Sequence, residues 1–139
     1  MPLFKYYSNS LAQKFSGVAN YMEVAKKAIK LMRELKPDIY QNGKILQGVI
    51  IRHMILPLCT ADSLKVLETI KQEIPNTKVS LLAQYTPFAG AKNILGINRK
   101  ITQKEYNRVL SKFCELELDG FMQELSSSSQ EFIPNFKFV

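Results

Sequence analysis

Cysteine is scarce in this chain of 139 residues, where Cys59 and Cys114 are the only two. Two thiols so far apart are too few for a small domain stapled by disulfides, and they lack the paired spacing of a zinc site. No apolar run approaches the roughly 18–20 residues that cross a bilayer, which argues against a membrane-spanning helix. No basic region followed by an apolar stretch stands at the first residues, so we expect no secretory signal and a cytoplasmic protein with reduced thiols.

Familiar catalytic motifs are also missing. Gly90 and Gly96 lack the spacing of a Walker loop or of a dinucleotide-binding loop. His53 is the single histidine, so no second histidine could complete a catalytic triad, and no nucleophile elbow is present. The chain therefore lacks the common sequence signatures of P-loop, Rossmann and serine-hydrolase enzymes.

What is present is an average globular composition with a surplus of positive charge. Hydrophobic residues make up 46% and charged residues 22%, which fits one ordinary domain over residues 1–139. The net charge is +7, and its densest part lies on one predicted helix: Lys26, Lys27, Lys30, Arg33 and Lys36. Such a cluster is either a solvated helix face or a patch that contacts phosphates.

Hydrophobic periodicity predicts helices and strands in alternation. Helices are predicted over residues 20–36, 60–74 and 102–118, with capping boxes of Asn20 with Glu23 and of Thr102 with Glu105. Buried strands are predicted over residues 45–56, 78–85 and 121–125, and residues 3–7 could add one more. This order predicts the α/β class, with three to four parallel strands covered by helices. So few strands cannot close a barrel, so we expect an open sheet or a partial (β/α) barrel fragment.

Candidate ligand contacts stand where the predicted strands end, because parallel sheets bind ligands at the carboxyl ends of their strands. Adjacent strand residues point to opposite faces, so Arg52 and His53 cannot both line one pocket. Arg52 is either a ligand contact or half of a structural ion pair, and His53 is either functional or a satisfied core residue. The full set of candidates is Lys5, Arg52, His53, Gln84, Tyr85, Gln123 and Glu124.

Several segments, taken in order, resemble the C-terminal part of radical S-adenosylmethionine proteins related to the pyruvate formate-lyase activating enzyme. The segments that carry the resemblance are Phe4-Lys5-Tyr6-Tyr7-Ser8-Asn9, Gly48-Val49-Ile50-Ile51-Arg52-His53, Ser80-Leu81-Leu82-Ala83-Gln84-Tyr85-Thr86-Pro87, Asn98-Arg99-Lys100 and Gly120-Phe121-Met122-Gln123-Glu124. Their shared order and spacing cover nearly the whole chain.

The resemblance implies a partial (β/α) barrel that holds S-adenosylmethionine and a 4Fe–4S cluster at its open end. It further implies oxidoreductase chemistry, in which the sulfonium is cleaved reductively and hydrogen is abstracted from a protein glycine or another substrate. Lys5, in an Asp-x-Lys pattern whose aspartate is replaced by Leu3, would face the cofactor carboxylate. Arg52 would point into the barrel, and Gln84 and Tyr85 would lie near the nucleoside.

The family's C-x3-C-x2-C loop, which ligates the cluster, is absent from this chain. We therefore expect the C-terminal half of such a barrel, catalytically incomplete alone and without a cofactor of its own. Expected partners are a second copy in a homodimer or a separate N-terminal half. In the family, the partner would be a glycyl-radical enzyme or another protein substrate. The alternatives are a small basic module that binds nucleic acid, which is the less favoured, and an α/β protein that binds a nucleotide-like metabolite.

Overall fold

The computed structural model describes residues 2–83 and 99–122. Two helices and three strands come first, and from the third strand onward strands and helices alternate. In order they are α1 (Asn9–Ser16), α2 (Tyr21–Leu35), β1 (Ile39–Gln41), β2 (Lys44–Gln47), β3 (Ile50–Met54), α3 (Thr60–Glu73), β4 (Lys78–Leu82), α4 (Gln103–Glu115) and β5 (Gly120–Met122).

The main sheet is parallel, as the alternation of helices and strands predicted. β3 pairs with β4 and β4 with β5, both in parallel. The edge segment, residues 2–5, forms a single parallel bridge to the other side of β3 through Leu3 and Arg52. Spatial order therefore follows chain order from the edge segment to β5. Connections between parallel strands are right-handed, and here they all run in the same direction along the sheet. The connecting helices therefore pack on one face of the sheet.

The hydrophobic core lies between that face and the helices. Alternate strand residues point toward the helices, and they are fully buried at Ile51, Val79 and Leu81. They share one cluster with buried residues of α3 and α4, namely Val66, Leu67, Ile70, Val109 and Phe113. The sheet therefore has a helix face, defined by these side chains, and an opposite face that carries Arg52.

The predicted strand over residues 45–56 is wrong as a single element. Gly48 interrupts it, and the chain folds so closely there that a β-carbon would lie 2.5 Å from Asp38 Oδ1. Residues before this point form β2, which pairs antiparallel with β1 in a separate hairpin. Its turn is Asn42-Gly43, and both residues have positive φ, as a two-residue hairpin turn requires. Only residues after Gly48 enter the parallel sheet.

Predicted helix starts are partly confirmed. Thr102 and Glu105 form the expected capping box at α4. The predicted box at Asn20 is wrong, because its side chain makes no capping hydrogen bond. Asn9 supplies the acceptor instead, and its Oδ1 receives the N–H of Met22 at 3.2 Å. The sequence pattern did not predict α1, and the portions of predicted strands beyond residues 83 and 122 lie outside the described residues.

Candidate functional site

Arg52 lies in the middle of β3 and points away from the helices. Its register neighbours are Leu3 on the edge segment and Ser80 on β4, and Phe121 on β5 follows Ser80. Residues directly opposed in neighbouring strands point to the same side, so these four form one row across the sheet. The row places a guanidinium on the face of the sheet that is directed away from the helices.

The Arg52 guanidinium is incompletely satisfied. Its Nε is buried and has no hydrogen-bond partner. The ion pairs of the described residues are made by other side chains, so these residues supply no carboxylate for a structural pair with Arg52. A buried donor without an acceptor costs about 1–3 kcal/mol. An anionic or carbonyl group bound on this face would remove that cost.

Lys5 belongs to the same face by alternation. Phe4 is fully buried in the core on the helix side, which places Leu3 and Lys5 on the side of Arg52. Leu3 cannot accept a hydrogen bond through its side chain, so it supplies no carboxylate beside the cations Arg52 and Lys5. The other predicted contacts, Gln84, Tyr85, Gln123 and Glu124, lie outside the described residues.

His53 points to the opposite face, as strand alternation predicted. Its Nδ1 lies 2.7 Å from the carbonyl oxygen of Phe4, and its Nε2 lies 2.8 Å from Ser63 Oγ. The carbonyl can only accept, so Nδ1 carries the proton and the Ser63 hydroxyl donates to Nε2. Burial lowers the pKa of His53, against the opposing effect of the Phe4 carbonyl and Asp62. The ring is a neutral connector between the edge segment and α3, with 1% of its surface exposed.

Asp62 anchors the loop that follows the edge segment. It lies in the first turn of α3, and its two carboxylate oxygens accept the backbone N–H groups of Tyr7 and Ser8 at 2.9 and 2.8 Å. From the sequence, Asp62 was predictable only as a residue near the start of a helix. Its distance of more than fifty residues from the loop left no local signal for this role.

Glu105 does the same for the loop between β3 and α3. Its carboxylate accepts the N–H of Leu58 at 2.7 Å, the N–H of Thr102 at 2.8 Å and a guanidinium N–H of Arg99 at 2.8 Å. Burial would raise the pKa of Glu105, but these hydrogen bonds outweigh it and lower the pKa to about 2. Only the bond to Thr102 was predictable from the sequence. Asp62 and Glu105 thus fix two loops that follow the carboxyl ends of strands.

The two cysteines lie in different environments. Cys59 is buried, and burial, together with nearby carboxylates, raises the pKa of its thiol to about 11. Cys114 is exposed on α4. Within residues 2–83 and 99–122, no three histidine, cysteine, aspartate or glutamate side chains come together as a metal site.

The basic cluster on α2 is partly used for packing. Lys26 Nζ lies 2.9 Å from a carboxylate oxygen of Glu73, and Arg33 donates to the carbonyl oxygen of Asn76 and to Thr77 Oγ1. These contacts join α2 to α3 and the turn after it. Two of the five cations are therefore engaged within the fold rather than displayed to a ligand.

Comparison with known proteins yields one curated relative. An uncharacterized protein of Methanocaldococcus jannaschii is 28% identical over 120 residues, which cover 84% of this chain and 31% of the relative. The chain thus spans about a third of that protein's length. No family model matches the chain, and no solved structure does. No helix in the described part of the chain is long and apolar enough to span a membrane.

Proposed function

We propose that this chain is the C-terminal portion of a radical S-adenosylmethionine protein similar to the pyruvate formate-lyase activating enzyme. It would form one wall of the cofactor cradle in a partial (β/α) barrel. The order of strands supports this proposal, because a parallel sheet whose spatial order follows chain order is what a segment of a barrel wall would have. The longer relative is compatible with a chain that is part of a larger unit.

The observation that carries the proposal is the buried, unsatisfied Nε of Arg52 on the face away from the helices. In a barrel, that face is the interior, where the cofactor lies. The amino-acid part of S-adenosylmethionine carries a carboxylate, and a guanidinium recognises carboxylates through directed N–H donors. Lys5 on the same face adds a second positive charge. The residues present therefore fit this cofactor.

The iron–sulfur cluster does not fit the described residues. Such clusters are held by cysteine thiolates, three of them in the C-x3-C-x2-C loop of the family, and this chain has only Cys59 and Cys114. Cys114 lies on a helix surface and not on the face of Arg52. The cluster would have to be ligated by another part of a larger protein, so the chain alone is catalytically incomplete.

The roles left to this chain are binding and positioning. S-adenosylmethionine would supply the radical chemistry when it is bound next to a cluster. Arg52 would bind and orient the anionic end of the cofactor. Asp62 and Glu105, which hold the loops after the edge segment and β3, would keep the rim of the site rigid, since each carboxylate fixes backbone N–H groups of a loop.

Calorimetry with S-adenosylmethionine tests the binding role. The wild-type chain should bind S-adenosylmethionine, and Arg52→Gln should weaken this binding at least tenfold. Lys44→Gln, in the exposed hairpin, is the matched control and should bind like wild type. Equal weakening in both variants, or no binding by wild type, would contradict the role of Arg52. Binding of inorganic phosphate with equal affinity would instead favour the alternative of a module for anionic metabolites.

Anaerobic reconstitution with iron and sulfide tests the incompleteness. The chain alone should yield no stoichiometric 4Fe–4S absorption and no cleavage of S-adenosylmethionine. A full cluster together with cofactor cleavage would show that this chain is sufficient for the activity and that the assignment of missing ligands is wrong.

A further inference from the structure

One long side of α2 is apolar and uncovered. Ile29 is the only buried residue of the helix. Four large apolar side chains remain exposed: Val24 by 54%, Leu31 by 54%, Met32 by 40% and Leu35 by 68%. Pro2 and Leu3 of the edge segment join part of this side in a groove of about 320 Å³. A 15-residue amphipathic helix with one buried residue indicates that a packing partner is missing.

The uncovered side is directed away from α3. Lys26 and Arg33, which contact Glu73 and Thr77, mark the flank of α2 that meets α3 and the turn after it. On the helix surface these cations lie about a third of a turn or more from the apolar row, at 100° per residue. α3 therefore lies on one flank of α2 and α1 also contacts the helix, while Val24, Leu31 and Leu35 remain exposed.

The spacing of the apolar row suits a helix as the missing neighbour. Tyr21, Val24, Ala28, Leu31 and Leu35 follow one another at steps of three and four residues. Such alternating steps form a straight seam that packs against another helix at a shallow angle. We call these five residues the α2 seam. Ala28 at its centre allows close approach of a facing helix.

The outer edge of the edge segment has backbone groups with which a parallel strand could pair. Bridging to β3 leaves the carbonyl of Leu3 and the N–H of Lys5 directed outward, and both are bound by one group. The Tyr21 hydroxyl donates to the Leu3 oxygen at 2.8 Å and accepts the Lys5 N–H at 2.8 Å. One residue of a parallel neighbouring strand makes these same two contacts through its own N–H and C=O. The hydroxyl thus occupies the position of a strand residue.

A second copy of this chain fits the seam poorly. A helix of 15 residues is about 22 Å long and about 10 Å wide, so it offers roughly 220 Å², far below the roughly 800 Å² per partner of a stable interface. Two seams related by a two-fold axis at Ala28 would also bring the exposed Lys27 next to the partner's Lys27, a repulsive contact. A unit joined in one polypeptide needs less area, because its effective concentration is high.

We propose that the α2 seam and the outer edge of residues 2–5 receive a strand–helix unit from a preceding part of a longer protein. Its strand takes over the Leu3 carbonyl and the Lys5 N–H from the Tyr21 hydroxyl, and its helix covers the seam. The Tyr21 hydroxyl thus makes these two hydrogen bonds only while the strand is absent. This inference rests on the portion of the proposed function that makes the chain part of a larger barrel, and it requires no cofactor.

Binding to a separate polypeptide tests the inference. The probe is the part of the Methanocaldococcus protein outside its aligned region, produced as its own chain. It should bind the full wild-type chain at one to one without S-adenosylmethionine. Val24→Lys should weaken binding at least tenfold, whereas Leu46→Lys, at an exposed apolar residue on β2, should change it less than twofold. Circular dichroism confirms that both variants fold.

Tyr21→Phe separates the strand from the helix. In the isolated variant, hydrogen exchange at the Lys5 amide should accelerate at least tenfold, and the probe should restore its protection with affinity no lower than for wild type. If Tyr21→Phe weakened binding of the probe as much as Val24→Lys does, the proposal that a strand replaces the Tyr21 hydroxyl would be overturned. Absence of probe binding, or a wild-type homodimer that Val24→Lys dissociates, would overturn the proposed occupant. Probe binding without S-adenosylmethionine binding would leave this inference intact and contradict only the cofactor role.

Discussion

Replacement of Glu105 by glutamine should destabilise the fold through the loss of one charge. The Glu105 carboxylate accepts N–H groups from Leu58, Thr102 and Arg99, and its side chain is 14% exposed. Its pKa falls from 4.5 to about 2 on folding. At about 1.4 kcal/mol per pKa unit, this difference corresponds to roughly 3 kcal/mol. The partner Arg99 is 39% exposed and solvent screens it, so we expect about 2 kcal/mol.

The pH dependence identifies the cause. Because the folded-state pKa lies below the unfolded-state pKa, the unfolded chain binds more protons between these values. The contribution of Glu105 is therefore complete above about pH 4.5 and is lost as the pH falls toward about 2. Roughly half or more of the stability that Glu105 contributes should be lost at pH 3. The difference in unfolding free energy between wild type and Glu105→Gln should shrink accordingly.

Urea denaturation at pH 7 and pH 3 measures both quantities. Glu115→Gln is the control, since that side chain lies on the same helix, is 71% exposed and forms a long ion pair with Lys112 at 3.9 Å. We expect the unfolding free energy of this control to differ from that of wild type by less than about 0.5 kcal/mol. A loss of stability in Glu105→Gln that stays constant from pH 7 to pH 3, or one that the control matches, would refute the role of the carboxylate.

Three further outcomes follow from the surroundings of single residues in the fold. Gly120→Ala should disrupt the pairing of β4 with β5, because a β-carbon would lie 1.9 Å from the Val79 carbonyl oxygen; native-like thermal unfolding of this variant would contradict the close approach. Burial lowers the pKa of His53, so the unfolded chain binds its proton first and stability should fall as the pH drops below about 6.5. Urea titrations at pH 7 and 5.5 should show this slope in wild type, and its persistence in His53→Gln would exclude the imidazole as its source. In the native state, a thiol reagent should modify Cys114 rapidly and Cys59 slowly, and equal rates by mass spectrometry would show that Cys59 is not buried.

Parts of the candidate site were predictable because they depend on local order. Strand alternation alone placed Arg52 and His53 on opposite faces, and the structure confirms that His53 faces the helices. The capping box at Thr102 was equally local, since its two partners are three residues apart. The box predicted at Asn20 failed because Asn9, from another helix, reaches the same helix start.

Other parts of the site depend on contacts between distant residues. Asp62 holds Tyr7 and Ser8, and Glu105 holds Leu58, across separations of about fifty residues. No spacing rule connects such residues, since only the folded chain brings a helix start next to a loop. The unpaired Nε of Arg52 belongs to the same group, because burial of that atom depends on the neighbouring strands.

The sequence by itself determined the alternation of strands and helices from β3 to β5 and the apolar row of α2, because periodicity is a property of consecutive residues. The tertiary structure decided how that row is used. Only the assembled sheet shows that most of the α2 seam has no cover, and that the Tyr21 hydroxyl bridges the outer groups of Leu3 and Lys5. It also decided that Gly48 separates a hairpin from the parallel sheet, since a close approach to Asp38 is a matter of distance in space.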